Sequence, residues 1–362
     1  MIDPQRAGVS EAEWRAHVES CHELTVAKVI EETHDSRSII LAIPPALEDT
    51  FRYKAGQFLS FKIPYEGHVL VRSYSLASSP DTETVHKVTV KRVDDGRISN
   101  LFNDTLKPGD PLMVVPPAGF FVLKEQTRPI VLFAGGSGIT PVIAIIKSAL
   151  ATTQRALKLV YANRDRRSII FDAELNELAS SHPGRLEITH SLDDTDGFLT
   201  AERAMALVGA ERNADFYLCG PSVFMDVVEG ALHDRDIDRS MIHIERFISP
   251  PDHFDDVKTP DAGAPAETGE SPSAVTVAVD GNTTEVAYES GESILVAARR
   301  AGLDPPFSCE EGYCSCCMAK LVSGEVKMEV NDCLTEDLLE EGWVLTCQAR
   351  CVSGPVKVEY PD

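Results

Sequence analysis

At 362 residues and 43% hydrophobic composition, the chain is long enough for two or three domains, each with its own core, and is neither fibrous nor disordered in bulk. A formal net charge of −23 argues against nucleic-acid binding, because phosphate neutralisation needs basic patches. Apolar runs such as Ile130 to Ala134 and Val142 to Ile146 fall far short of the ~20 residues of a membrane helix, and an N-terminus bearing Asp3, Glu11 and Glu13 lacks the apolar core of a secretory signal. The expectation is a cytoplasmic protein without membrane association.

Residues 1–22 read as an N-terminal extension, with Trp14 on a short helix and no functional motif. Residues 23–125 carry the β-rich runs SIILAI, QFLSFKI, LVRSYSL, HKVTVKRV and PLMVVPP, punctuated by Gly, Pro and Asp as in a small antiparallel barrel. Arg72, Ser73, Tyr74 and Ser75 fall on one of these strands, with 72 and 74 on one face and 73 and 75 on the other. A flavin needs a cation for its pyrophosphate, an aromatic plane along its ring and a hydroxyl near N5. Arg72, Tyr74 and Ser75 offer those three, although Tyr74 would serve equally as a plain barrel residue. Downstream, Val90-Lys91-Arg92 forms a strand, and Gly96-Arg97-Ile98-Ser99-Asn100 a glycine-led helix start whose N–H groups suit an anion.

Over residues 126–247 the pattern changes to strand and helix in alternation: PIVLFA, a helix from Pro141, LKLVYA, RLEITH, FYLC, a helix from Pro221, and MIHIERF. Such alternation implies a parallel sheet covered by helices, with ligands at the carboxyl ends of its strands. Gly135-Gly136-Ser137-Gly138-Ile139-Thr140-Pro141 follows the first strand, with Thr140 expected as N-cap and Pro141 at the first helical position. Glycines there let a diphosphate approach the backbone, though tight helix packing requires them too. Cys219-Gly220-Pro221 ends another strand and leaves room for a nicotinamide ring; a merely buried thiol is the alternative for Cys219. The segment YANRDRRSIIF places Asp165 among Arg164, Arg166 and Arg167. The acid favours a free ribose 2′-OH and the arginines a 2′-phosphate, so the reading is NADH, with NADPH open.

Between 248 and 273, prolines 250, 251, 260, 265 and 272 stand among Asp, Ala, Gly and Glu, as in a linker. If flexible, it would span about 28 Å root-mean-square, enough for a tethered module to swing between docking positions. Residues 274–362 open on a hairpin, VTVAV then Asp280-Gly281 then TEVAY, followed by an amphipathic helix from Ser293 through Leu303. Cys309, Cys314 and Cys317 then stand at C-x4-C-x2-C, with Cys347 thirty residues on, as in a plant-type [2Fe-2S] site. Gly312 allows the tight turn between them. A structural zinc site is the competing reading, and this spacing matches it poorly. The other cysteines, Cys21, Cys219, Cys316, Cys333 and Cys351, show no pairing pattern, and most of them read as small buried hydrophobes. From Val275 to Asp362 six basic residues face sixteen acidic ones, which either solvate the module or steer a basic redox partner.

RSYS, VKR and GRISN in that order resemble the FAD domain of the ferredoxin-NADP reductase superfamily. In that superfamily GGSGITP and CGP mark the pyridine-nucleotide site, so the resemblance implies nucleotide contacts at Gly135 to Pro141 and Cys219 to Pro221. Glu245 and Phe247 in IERF resemble the E-x-F whose aromatic ring lies near the flavin, or are ordinary strand-end residues. The resemblance to oxygenase reductases with a C-terminal ferredoxin covers all three modules. Within these, YANRDRRSIIF, FSCEEGYCSCCMAKL and KMEVNDCLTEDLLEEGWVLTCQAR are similar to the reductases serving 3-ketosteroid 9α-hydroxylation in sterol degradation. Cys316, Cys333, Cys351 and the long N-terminal lead depart from that pattern, and Cys316 beside Cys317 could ligate if the loop slipped.

The resemblance implies an antiparallel FAD-binding β-barrel, an α/β parallel-sheet nucleotide domain and an α+β ferredoxin domain of β-grasp type. FAD would take a hydride from NADH and release electrons singly to the cluster, with Ser75, Cys219 and Glu245 at the reacting centre. Arg72, Ser73, Tyr74, Val90, Lys91, Gly96, Ile98 and Ser99 would hold FAD. The ten histidines form no Rieske or 2-His-1-carboxylate pattern, so the electrons are expected to leave for a separate terminal oxygenase from a monomeric reductase. An oxygenase acting on aromatic acids or phenylacetyl-CoA stays open as partner, as does a redox sensor without enzymatic activity.

Overall fold

A computed structural model describes residues 4–18, 20–247, 272–331 and 333–361, so the proline-rich stretch read as a linker lies outside the described residues except for its last two. The chain divides into two units, Met1–Phe247 and Ile248–Asp362. Among the described residues no helix is long and apolar enough to cross a membrane.

In the first unit a short helix, α1 (Glu11–Val18), precedes strands β1 (His22–Thr33), β2 (Ser36–Ala42), β3 (Phe58–Tyr65), β4 (His68–Ser75), β5 (His86–Lys91) and β6 (Pro111–Ala118). They pair in the order β4-β3-β6-β1-β2-β5. A bridge between Leu76 and Val88, with the Ala77 N–H on the Lys87 carbonyl at 2.7 Å, brings the end of β4 to β5 and closes the ring. Strand β1 shows why the ring forms: Leu24 and Val26 alternate inward at 0% and 1% exposure while Glu23, Thr25 and Ala27 face out. Glu66 and Gly67, both left-handed at φ 47° and 83°, make the two-residue turn from β3 into β4. Helix α2 (Arg97–Thr105) plugs one end of the barrel with Ile98 and Phe102.

The second half of the unit comprises β7 (Ile130–Gly135), α3 (Ile139–Thr152), β8 (Leu157–Asn163), α4 (Asp172–Ser181), β9 (Leu186–Leu192), α5 (Asp193–Asp196), α6 (Ala201–Val208), β10 (Asp215–Gly220), α7 (Ser222–His233) and β11 (Ile242–Arg246). Its sheet is parallel, ordered β11-β10-β7-β8-β9. Winding therefore reverses at β7, and the crevice outside the carboxyl ends of β7 and β10 is where such sheets bind ligands. Every residue of β7 and β10 is buried, as expected of strands covered on both faces.

Helix α3 begins earlier than its sequence suggested. A 3-10 turn over Gly136–Gly138 runs straight into it, Gly138 is the N-cap, and Ile139 is the first helical residue. Thr140 is not a cap: its hydroxyl donates to the Ser137 carbonyl at 3.0 Å. Pro141 is tolerated one turn in because first-turn N–H groups have no acceptor four residues back.

The barrel and the parallel-sheet lobe meet through a buried polar seam. Lys147 of α3, with its side chain 5% exposed, reaches Glu83 of the barrel at 3.0 Å and also pairs with Glu174 of α4. Lys87 of β5 approaches Glu174 at 3.2 Å, and the Ser79 and Ser148 hydroxyls lie 2.8 Å apart.

The second unit contains β12 (Ala274–Val279), β13 (Asn282–Ala287), α8 (Ile294–Arg300), β14 (Met318–Met328), α9 (Glu336–Glu340), β15 (Trp343–Leu345) and β16 (Ala349–Glu359). The sheet order is β13-β12-β16-β14-β15, with β12 and β16 parallel. Asp280 and Gly281 adopt φ 49° and 71° in the hairpin turn. Ser293 caps α8 by accepting the Val296 N–H, and the helix packs Ile294, Ala297 and Ala298 onto the sheet. A mixed sheet crossed by one helix is the β-grasp arrangement read from the sequence.

Candidate functional site

The two nucleotide motifs, eighty-odd residues apart, touch through their glycines. A Cβ on Gly138 would stand 2.1 Å from the Cys219 carbonyl oxygen, and one on Gly135 2.8 Å from the Pro221 ring. Gly220 approaches Gly135 backbone to backbone, with 3.0 Å from its would-be Cβ to the Gly135 Cα. Only glycine fits where the two motifs pack, and that packing places the start of α3, whose first-turn N–H groups suit a diphosphate, at the carboxyl ends of β7 and β10. Asn163 closes β8 at the same edge, 5% exposed, with neither amide atom in a well-formed hydrogen bond. An orphaned buried amide at the carboxyl end of a parallel strand is what a bound nucleotide would satisfy.

Beneath this mouth lies the point where barrel and lobe share chemistry. In parallel register Cys219 of β10 sits beside Glu245 of β11. The Ser75 hydroxyl, at the end of β4, donates to Glu245 Oε1 at 3.5 Å. Burial pushes the Glu245 carboxyl up to about 8, only partly offset by the Ser75 hydrogen bond. Burial and then the nearby Glu245 hold the Cys219 thiol far above its usual range, so it is a neutral S–H and no nucleophile. Phe247, 43% exposed, follows directly after β11.

On the barrel side, Tyr74 packs at a tilt against Phe61 and Phe102, with centroids 5.9 and 5.8 Å away, and its half-buried phenol is raised by that burial. Ser73 shares a hydrogen bond with Ser60 at 2.6 Å, and Arg72 Nη1 donates to the Val71 carbonyl at 2.8 Å. No side chain caps the first turn of α2, where Gly96 is N-cap. A cleft of about 340 Å³ opens there between Tyr65, Gly96, Arg97, Asn100 and Asp104. The Ser99 hydroxyl accepts the Val93 N–H at 3.3 Å. Val90, Ile98 and Ile139 are core side chains at 0–1% exposure, so only their backbone groups could meet a cofactor. Lys91 extends toward the glycine loop, its Nζ 3.6 Å from where a Gly136 Cβ would stand.

Two features of the lobe escape a local reading of the sequence. Asp165 caps a 3-10 turn, accepting the Ser168 N–H at 3.0 Å, so one carboxylate oxygen is already committed. Arg164 instead pairs with Asp35, a barrel residue 129 positions away, at 2.9 Å.

In the second unit the cysteine loop joins α8 to β14. Gly312 is needed twice over: its φ is +87°, and a Cβ would press on Val330 and Gln348 at 3.0 Å. Glu310 and Ser315 are also left-handed, at φ 61° and 56°. The four thiols are neighbours along the loop and the returning segment, with Cys314 also close to Cys316 and Cys317. Cys309 interacts side chain to side chain with Cys314, and Cys317 with Cys347. No single point among the described residues draws three His, Cys, Asp or Glu side chains. A two-iron cluster takes four thiolates, two to each iron, and Cys309, Cys314, Cys317 and Cys347 are the set that the C-x4-C-x2-C spacing and the returning segment offer. Backbone N–H groups already aim at sulfur: Cys309 N to Cys314 Sγ and Glu311 N to Cys309 Sγ, both at 3.4 Å. The Thr346 N–H and hydroxyl both grip the Cys317 carbonyl, at 3.1 and 3.0 Å, tying the returning segment to the loop. Cys316, 1% exposed, contacts the Cys314 side chain, and the Cys333 thiol donates to the Gly312 carbonyl at 3.1 Å.

Three family models match in succession: an oxidoreductase FAD-binding domain over 23–123, an oxidoreductase NAD-binding domain over 132–230 and a 2Fe-2S iron-sulfur cluster binding domain over 277–352. The chain is 41% identical over 324 residues to a 3-ketosteroid-9-alpha-monooxygenase ferredoxin reductase component of Rhodococcus rhodochrous, covering 88% of this chain and 90% of that one. It belongs to the oxygenase ferredoxin-reductase family. This reductase is also 34% identical over 334 residues to a component of the Escherichia coli 1,2-phenylacetyl-CoA epoxidase, covering 88% and 91% of the two chains. Among solved structures it resembles phthalate dioxygenase reductase, described as a modular structure for electron transfer from pyridine nucleotides to [2Fe-2S], at TM-score 0.58 and 25% identity, covering 94% and 98%. The reductase is therefore an oxidoreductase built of FAD-, NAD- and 2Fe-2S-binding domains.

Proposed function

We propose that this reductase draws electrons from NADH and delivers them, through FAD and a [2Fe-2S] cluster, to a separate terminal oxygenase that hydroxylates a 3-ketosteroid. The observation that carries the redox reading is the meeting of Ser75, Cys219 and Glu245 directly below the packed glycines of the two nucleotide motifs. FAD supplies the change from paired to single electrons, and the cluster supplies one-electron transfer. The relatives' identity over nearly the whole chain supports the steroid assignment.

The residues serve these groups by position. Gly135, Gly136, Ser137 and Gly138 receive the nucleotide diphosphate on backbone N–H groups, and Ile139, Thr140 and Pro141 launch the helix behind it. Cys219, Gly220 and Pro221 keep the floor of the crevice low enough for the nicotinamide. Asp165 faces the adenosine end. Tyr74, Arg72 and Ser73 hold the flavin along β4, with Val90, Lys91, Gly96, Ile98 and Ser99 around its phosphates. Phe247, exposed just after β11, would place its aromatic ring near the flavin. Glu245, neutral at pH 7, keeps the Ser75 hydroxyl aimed and adds no charge near the reacting ring. Cys309 and Cys314 take one iron; Cys317 and Cys347 take the other. The chain acts as a monomer.

Reconstitution tests this. The purified protein should carry bound flavin and oxidise NADH rapidly with ferricyanide as acceptor. Combined with candidate oxygenases, it should support product formation with a 3-ketosteroid-hydroxylating partner. Product formed instead with a phenylacetyl-CoA or aromatic-acid oxygenase would reassign the partner. Absence of flavin, or failure to oxidise NADH, would overturn the redox reading.

A further inference from the structure

We infer that Asp35, a residue of the barrel, sets the nucleotide preference of the neighbouring lobe by occupying the Arg164 guanidinium that a ribose 2′-phosphate would otherwise recruit. The inference rests on the reading that a pyridine nucleotide binds at the carboxyl ends of β7, β8 and β10.

Arg164 is the first residue after β8, the strand following the glycine loop's helix. In doubly wound sheets that strand end meets the adenosine ribose, and a nearby arginine accommodates the 2′-phosphate. Here the arginine is engaged: Arg164 Nη2 donates to Asp35 Oδ2 at 2.9 Å across the seam between barrel and lobe. The Arg164 side chain is 63% exposed, but the Asp35 carboxylate that holds it is only 12% exposed and is fixed in place. Thr33 Oγ1 donates to its Oδ1 at 2.7 Å and Ser36 Oγ at 3.2 Å. Burial opposes its ionisation, yet the Thr33 hydrogen bond and the Lys91 charge keep the carboxyl below the usual range, so it is an anion at neutral pH. Lys91 Nζ approaches the same Oδ2 at 3.8 Å, and His34 Nε2 also lies 3.8 Å from it.

The carboxylate therefore sits between Arg164 and the Lys91 that borders the glycine loop. A dinucleotide with a free 2′-OH asks nothing of Arg164. One bearing a 2′-phosphate must share the guanidinium with Asp35 and bring its own negative charge up to that carboxylate. Both effects disfavour NADPH, and neither depends on Asp165, which is engaged in its own cap.

The test uses the full-length protein with its cofactors, reducing ferricyanide with NADH or NADPH. Asp35→Asn should raise the NADPH-to-NADH ratio of kcat/KM by about tenfold or more, through a lower KM for NADPH, with kcat for NADH within about twofold of wild type. Competitive inhibition by 2′,5′-ADP should strengthen in parallel, and inhibition by 5′-ADP should not. In an Arg164→Ala background the same Asp35→Asn change should move the ratio less than about twofold. An unchanged ratio in Asp35→Asn overturns the inference, and so does an equal rise without Arg164, which would mark a general charge effect. If Asp35→Asn loses flavin or fails to fold, Arg164→Ala alone decides. With the arginine already occupied its loss should leave the ratio within about threefold, and a larger fall shows it was available to the phosphate. A wild-type preference for NADPH would sink the NADH reading but not this comparison, which measures a change from whatever wild type prefers.

Discussion

Ser75 and Glu245, 170 positions apart, meet at 3.5 Å where the last strand of the parallel sheet passes the end of a barrel strand. The contact spans two independently wound sheets, so it forms only when both are complete and correctly docked. It brings a hydroxyl from the flavin side and a carboxyl from the nucleotide side into one hydrogen bond, and Cys219 borders it as a neutral thiol.

A buried carboxyl of this kind leaves a signature in stability against pH. The Glu245 pKa rises from 4.5 to about 8 on folding, so between these values the folded chain binds more protons than the unfolded one, and stability falls as pH rises. Glu245→Gln cannot ionise and escapes that loss. The melting temperature of wild type relative to Glu245→Gln should decline from about pH 5 to pH 8 and level off above. A difference independent of pH in thermal melts would show that the carboxyl titrates normally.

Gly138→Ala tests the packing of the two motifs. The glycine's φ of −62° suits any residue, so strain in the backbone is not at issue. The obstacle is the Cys219 carbonyl, 2.1 Å from the new methyl, which must be pushed away. We expect a cost of ~1–3 kcal/mol in urea unfolding and a KM for NADH raised by about tenfold, with flavin content unchanged. Wild-type KM in a stable variant would show that the close approach has no part in nucleotide binding.

Lys147 links barrel and lobe from a nearly dry position. Lys147→Ala leaves Glu83 without that partner and Glu174 with Lys87 as its remaining one. Removing one member of a buried ion network should cost ~3 kcal/mol, read as a lower urea midpoint. A change below ~0.5 kcal/mol would mean that water enters the seam and solvates the carboxylates.

Cys314→Ser separates the two halves of the relay. NADH-to-ferricyanide activity should stay within about twofold of wild type, because the nucleotide and flavin residues lie in the first unit. Cytochrome c reduction, which needs the cluster, should fall by more than about tenfold together with the visible absorption of the iron-sulfur centre. Equal loss of both activities would contradict the order of transfer.

The cluster loop was legible because its information is local. C-x4-C-x2-C and Gly312 dictate a tight turn, and only the return of Cys347 requires the sheet. The Asp280-Gly281 turn and the alternation of strand and helix over 126–247 were readable for the same reason. Thr140 misled because a Thr-Pro pair before an apolar helix looks like a cap, and nothing nearby reveals that three glycine-loop residues have already begun the coil. Asp165 carries the right chemistry for a ribose but is engaged by Ser168, three residues on. Asp35 and Lys147 were invisible, since an acid in a turn and a lysine on a helix acquire meaning only from partners across the seam.

Closure of the barrel has a consequence for how other molecules can approach. The Leu76–Val88 bridge draws the terminal strands β4 and β5 together, which leaves the barrel less backbone margin on which a foreign strand could extend the sheet. The other sheets end, among the described residues, on β9 and β11 in the first unit and on β13 and β15 in the second. β11 has five residues and β15 three, while β13 displays Thr283, Thr284 and Glu285. Borders as short as β11 and β15, or as polar as β13, discourage main-chain adhesion, between copies or with a visitor. Docking at those borders would then rest on side chains, and on a surface this acidic the encounter with a basic partner slows as ionic strength rises.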